Sequence, residues 1–179
     1  MIVYRSAAAV GGAPALEAWA DASFANDLCK GSTLLAKSRS GLLVHVYGAL
    51  LYASSQRQTS VALSTCEAET TAHALATRVI IPIHLTMAVL GYNLPAPTTI
   101  HCDNTAVLAL IRRRHVNSRL RHYRVNLAFV FHAVELGLTR AAYCKTTVQR
   151  ADFLTKALPV GAFRAAAAFV YPDYESAKL

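Results

Sequence analysis

A chain of 179 residues, 54% hydrophobic and 16% charged, is long enough for one domain with a sizeable core and too short for two ordinary ones. That apolar fraction excludes a disordered chain, because enough surface can be buried to offset the entropy of ordering. Eighteen Lys and Arg against ten Asp and Glu leave a net charge of +8, and thirteen of the cations are Arg, whose planar guanidinium grips phosphate at two points, so the balance points to a polyanionic partner.

Residues 1–15, rich in Ala and Gly, read as a flexible leader without signal-peptide form, and an intracellular setting, cytoplasm or nucleus, is the expectation. LEAWAD from Leu16 reads as a strand ending in an acid, followed by a polar loop. GLLVHVYG and ALLYASS form a hairpin signal around Gly48. From about Thr65 to Leu90 an apolar stripe through Ala68, Ala72, Leu75, Val79, Ile83 and Met87 predicts a helix, with Pro82 kinking or splitting it and Gly91 ending it. Its apolar stretch from Val79 to Tyr92 falls short of the roughly 20 residues that span a bilayer, so it reads as a buried helix, and no membrane partner is expected.

TTIHCD is a short strand again closed by an acid, and Asn104 caps a following helix through Arg114. A further helix over Arg119–Glu135, a strand in LTRAAYCK and a last helix over Thr147–Leu158, stopped by Pro159, complete the pattern. The order βββαβαβα suggests an α/β (α+β) fold, a mixed sheet with flanking helices. The domain is expected to cover residues 16–164, with 165–179 a C-terminal tail that could add a small helix. Cys29, Cys66, Cys102 and Cys144 form no C-x-x-C pair and read as reduced, packed cysteines.

Asp21 and Asp103 both fall at predicted strand ends, where open α/β sheets place ligands. Glu67 and Glu69 are two apart on one helix, so they point in nearly opposite directions. Helical phase puts Glu69 with Ala72, Ala76 and Ile80 at the flank of the buried face, and Glu67 on a polar face with Thr70, Thr71, Ala74 and Arg78. Asp152 lies in the first turns of the last helix, where the helix dipole and Lys156 also favour a carboxylate. Singly each acid is more often a cap or a solvated turn; their order and placement raise the odds of a shared site.

WADASFAND, LLYASSQRQTSVALSTCEAE, TTIHCDNTAVLAL and QRADFLTKALP together resemble the successive blocks of the RNase H domain of copia-type LTR retrotransposon polyproteins, over residues 16 to about 164. The resemblance implies a five-stranded RNase H-like sheet. It also implies that Asp21, Glu69, Asp103 and Asp152 are catalytic carboxylates holding two Mg²⁺ ions, with Mn²⁺ the alternative. One ion would acidify the attacking water and the other would stabilise the leaving 3′ oxygen. The implied substrate is the RNA strand of an RNA–DNA hybrid, and the implied neighbour in a parent element is a reverse transcriptase domain; a monomer is expected. Two departures stand out: Thr70 follows Glu69 where the family usually has Tyr, and His122-Tyr123-Arg124 replaces H-I-D-x-R.

Between Asn104 and Val134 there is no acid, while Arg112, Arg113, Arg114, Arg119, Arg121 and Arg124 accumulate with His115 and His122. Beside a nuclease site this reads as a track for phosphates, weighed against a solvated helix end. His73, Trp19, Tyr52 and Phe24 read as packed residues rather than ligands or base-stacking platforms. The alternative to an enzyme is a catalytically silent nucleic-acid-binding remnant.

Overall fold

The computed structural model describes residues 16–28, 36–92, 94–95, 97–114 and 123–170. Strands β1 (Leu16–Leu28), β2 (Ala36–Val46) and β3 (Ala49–Arg57) run antiparallel, and β4 (Thr98–Cys102) and β5 (Thr139–Tyr143) add parallel pairings, giving the order β3-β2-β1-β4-β5. The helices are α1 (Thr65–Val89), α2 (Thr105–Arg113), α3 (Arg124–Glu135) and α4 (Val160–Val170). The expected mixed α/β fold is present.

Strand alternation sorts side chains to two faces. Ala18, Ala20 and Ala22 of β1, with Leu42 and Val44 of β2, pack under Ala68, Ala72, Ala76 and Ile80 of α1. Trp19 and Leu43 turn the other way and pack with Ala151 and Val170. The small alanines let α1 lie close on the sheet, which brings its first turns near Asp21 within β1 and Asp103 after β4.

The first turn is fixed by a variant of the capping box in which Glu67 reaches the residue before the N-cap. The Ser64 hydroxyl accepts from the Glu67 amide at 3.3 Å, and the Glu67 carboxylate reaches back to accept from the Leu63 amide at 2.5 Å. Pro82 lies inside one continuous helix, neither ending nor dividing it. Burial in α1 runs to Ile80 and then fails, for Leu85 and Val89 are exposed, against the expectation that the stretch from Val79 onward is a buried helix.

Two other expectations are corrected. β1 does not stop at Asp21 but continues to Leu28, because its antiparallel pairing with β2 outlasts its parallel pairing with β4, which ends at Trp19↔His101. Residues 147–158 form no α-helix; two 3₁₀ turns, Thr146–Val148 and Asp152–Leu154, stand there, and the helix begins after Pro159. Proline at the residue before a helix supplies a fixed φ and no orphaned N–H, so it opens α4 rather than closing a helix before it. α4 then runs through position 164 to Val170, which is buried against the sheet. The expected helix start at Arg119 lies outside the described residues; α3 is described from Arg124.

Candidate metal centre

β1 and β4 are parallel neighbours whose chains leave in opposite directions, β1 into β2 and β4 through α2 and α3 into β5. Such a switch point opens a crevice beyond the strand ends. Asp103 follows Cys102, the last residue of β4, and Asp21 lies two residues past the last β1–β4 pair. Glu69 enters from the first turns of α1, and Asp152 from the 3₁₀ turn below.

The acids feel one another. Burial pushes the Asp21 carboxyl up to about 6, with Asp152 and Asp103 adding to the rise against the hydrogen bond from Thr155 and the charge of Lys156. Burial pushes Glu69 up further, to about 9, with Asp21 and Asp103 next, against a hydrogen bond from the Ala22 amide and the charge of Lys156. Glu69 is 5% exposed and its Oε2 has no partner among the described residues. A buried carboxyl oxygen without a donor, in the field of other carboxylates, is costly unless a cation or proton joins it. Oxygens from Glu69 and Asp103 and the Cys102 sulfur all lie within 4.8 Å of one another, a grouping that could hold a metal ion. Two of these donors are hard carboxylate oxygens and the third is a soft sulfur.

Several residues hold the acids in place. The Thr155 hydroxyl donates to Asp21 Oδ2 at 2.5 Å and Thr146 donates to Asp103 Oδ2 at 2.8 Å. Lys156 Nζ binds Asp152 Oδ1 four residues earlier. Gln149 Nε2 donates to the Ala20 carbonyl at 2.9 Å, anchoring the segment before Asp152 to β1. Gln58 Nε2 donates to the Ser40 hydroxyl and to the Ala68 carbonyl, tying β2 to the residue before Glu69. Sequence reasoning missed these Thr and Gln residues; the one local signal for them is their place in and around the QRQ and ADFLTK blocks.

Asp21 thus lies within the field of Asp103 and Asp152, and Glu69 within that of Asp21 and Asp103, while the close grouping is Glu69, Cys102 and Asp103. The separation of Glu67 from Glu69 holds, but the face assigned to Glu67 is not polar. Glu67 and Thr70 are buried, and Ala74 packs with Val107, Ile111 and Val130 beneath α2 and α3. A second layer of helices therefore covers a face that polarity alone left exposed. Trp19 is buried as expected, whereas Phe24 and Tyr52 are each 39% exposed. His73 is buried with neither ring nitrogen partnered among the described residues, and burial lowers its pKa to about 4. Cys66, Cys102 and Cys144 are free thiols.

Arg112, Arg113 and Arg114 close α2 and are exposed, Arg114 pairing with Glu135 at 3.6 Å; Arg124 opens α3, also exposed. Arg119, Arg121, His115, His122 and Cys29 lie outside the described residues.

No protein-family model matches the sequence. The chain is 31% identical over 149 residues to the retrovirus-related Pol polyproteins from transposons RE1 and RE2 of Arabidopsis thaliana, a match covering 83% of this chain and 10% of each polyprotein. It is a homologue of a segment of retrotransposon Pol polyproteins.

Solved structures give the fold of this segment. The LC11 RNase H1, crystallised with an RNA/DNA hybrid, superposes with a TM-score of 0.56 at 12% identity, over 78% of this chain and 92% of that one. The N-terminal RNase H domain of a Mycobacterium tuberculosis protein, fused to maltose-binding protein, gives 0.52 at 14% identity over 86% and 96%. RNase H1 from Halobacterium salinarum gives 0.51 at 14% identity over 78% and 92%. The chain is an RNase H-like domain of a retrotransposon polyprotein type.

Proposed function

We propose that this RNase H-like domain is a metal-dependent endonuclease that hydrolyses the RNA strand of an RNA–DNA hybrid, with Asp21, Glu69, Asp103 and Asp152 as metal ligands. What supports the reading is the mutual field of Asp21 with Asp103 and Asp152 and of Glu69 with Asp21 and Asp103, together with a buried Glu69 oxygen that has no partner among the described residues. The donor set fits a pair of Mg²⁺ or Mn²⁺ ions, which when bound would supply an acidified water and neutralise charge at the leaving 3′ oxygen.

The protein's own part is to hold acids that would otherwise repel. Thr155 fixes Asp21, Thr146 fixes Asp103, and the α1 capping box sets the depth from which Glu69 reaches in. Lys156 keeps a positive charge against Asp152 and lies within the field of Asp21 and Asp103. With Arg39 it lines a cleft of about 590 Å³ beside Thr155, where sugar–phosphate could lie. Exposed Arg112, Arg113 and Arg124 would bind further phosphates. A partner reverse transcriptase domain, an intracellular location, a monomeric state and the absence of a membrane partner complete the proposal.

A second reading, hybrid binding without turnover, is favoured by Lys156, whose ammonium already sits on the Asp152 oxygen a metal would use. A hybrid labelled on either strand, incubated with the full chain with and without Mg²⁺, separates the two. RNA-strand products that require Mg²⁺ support the nuclease. Retarded but intact hybrid supports the silent module.

A further inference from the structure

Sulfur is the unusual member of the acid cluster. Cys102 is 1% exposed, and its Sγ shares a 4.8 Å neighbourhood with oxygens of Glu69 and Asp103. The Asn104 amide donates to that sulfur at 3.4 Å and the thiol donates to the Asn104 carbonyl at 3.9 Å, which orients the sulfur, while burial holds the thiol's pKa above its ordinary value. Independently of the thiol, the Glu69 Oε2 of this buried side chain has no hydrogen-bond partner among the described residues, so the carboxyl that contributes to the group carries an oxygen left without a donor or a cation. Asp103, only partly buried, opens the cluster to solvent.

We propose that Glu69, Cys102 and Asp103 form an inhibitory binding site for a thiophilic divalent ion of the Zn²⁺ or Cd²⁺ class. Zinc takes sulfur at about 2.3 Å and carboxylate oxygen at about 2.0–2.2 Å, so small side-chain adjustments close three ligands of this spacing around one ion. Mg²⁺ takes oxygen and leaves the thiol unused. A soft ion gains the sulfur as an added ligand and has the higher intrinsic affinity. The step involves no electron transfer: the Cys102 thiol releases one proton to solvent as the sulfur–metal bond forms, and any proton on Glu69 leaves with it. Because the ion takes Glu69 and Asp103 oxygens, it removes them from the Mg²⁺ reading; this inhibitory half rests on the proposed nuclease, while the binding half does not.

The probe is Co²⁺ titrated into the full chain under reducing conditions, read by its near-ultraviolet sulfur-to-metal charge-transfer band. One equivalent should produce the band, which should disappear in Cys102→Ser and weaken in Glu69→Gln. A Cys29→Ser/Cys66→Ser/Cys144→Ser chain, with Cys102 its only thiol, should keep it and guards against misfolding of the Cys102 variant. Absence of the band in the parent chain, or its loss in the triple variant with the fold intact by circular dichroism, overturns the site. For inhibition, Zn²⁺ should suppress Mg²⁺-driven cleavage reversibly by chelator, and Cys102→Ser should need about tenfold more Zn²⁺. Equal inhibition of parent and variant overturns the inhibitory role of the sulfur. A parent that never cleaves in Mg²⁺ sinks the nuclease reading while the cobalt band still decides the site.

Discussion

Gly41 lies directly across the β1–β2 pair from Asp21, and a Cβ at Gly41 would stand 2.8 Å from the Ala151 carbonyl oxygen and 2.8 Å from the Thr155 methyl carbon. Only a residue without a side chain lets the segment carrying Asp152 and Thr155 settle onto the sheet beside Asp21. Its role is close approach, since the backbone oxygen opposite it cannot swing away as a flexible side chain would. Gly41→Ala should therefore lift the 151–155 segment, costing about 1–3 kcal/mol in stability from overpacking. Cleavage should fall further than the melting temperature suggests, because a displaced Thr155 no longer holds Asp21. Wild-type melting and cleavage in the variant would refute this close-packing account.

Asp103→Asn keeps the side chain's shape and removes one of the charges that raise Asp21 and Glu69. Metal-free protein should be stabilised, by about 1 kcal/mol at neutral pH, as repulsion is relieved. Mg²⁺-dependent cleavage should collapse by at least about a hundredfold. Paired thermal melts without metal and strand-labelled cleavage assays test both halves. A variant that cuts as fast as its parent removes Asp103 from the mechanism.

Glu69 sets a pH dependence in the alkaline range. In the folded protein it keeps its proton to about 9, whereas the unfolded chain loses it near 4.5, so the folded state binds more protons between these values and stability falls as pH rises through them. Asp21, raised from 3.8 to about 6, acts in the same sense at lower pH. His45 and His73, lowered by burial to about 4, act oppositely below 6.5, because there the unfolded chain binds the extra protons. The clean window is thus about pH 7 to 8, below the range where the raised Cys66, Cys102 and Cys144 thiols add a decline of the same sign, and there metal-free protein should lose on the order of 1 kcal/mol. Glu69→Gln should flatten the decline. Denaturant melts across that range that show no slope, or the same slope in the variant, count against the raised Glu69.

Arg112, Arg113 and Arg124 are exposed around the α2–α3 connection, whereas Arg114 is paired with Glu135. Replacing the first three with Ala should weaken hybrid binding and reduce the dependence of log K on log salt by about 0.7–0.9 for each phosphate no longer neutralised. Fluorescence anisotropy over a salt series reads this directly. An unchanged slope returns these arginines to ordinary solvated helix ends.

Strand and helix periodicity, the Asn104 cap and the acids following predicted strands were legible in the sequence because each depends on neighbours within a turn or two. Helical phase alone separated Glu69 from Glu67, since opposite sides of a helix cannot both face one strand pair. The capping box that employs Glu67 was equally local, written in Ser64-Thr65-Cys66-Glu67, although its polarity suggested an exposed face. Burial of that face depends on α2 and α3 folding back over α1, which no local pattern encodes.

The length of β1 was likewise decided by a partner, because β2 continues pairing after β4 has ended. Pro159 marks a boundary in sequence, yet whether it closes one helix or opens another depended on where Val170 could be buried, against Trp19 and Leu43. Four acids in order are a property of the sequence. Their mutual field, the orphaned Glu69 oxygen and the sulfur beside it exist only in the folded chain. Electrostatic repulsion and desolvation act through space, over distances that sequence separations of 34 to 83 residues from Glu69 to Asp103 and Asp152 do not reveal.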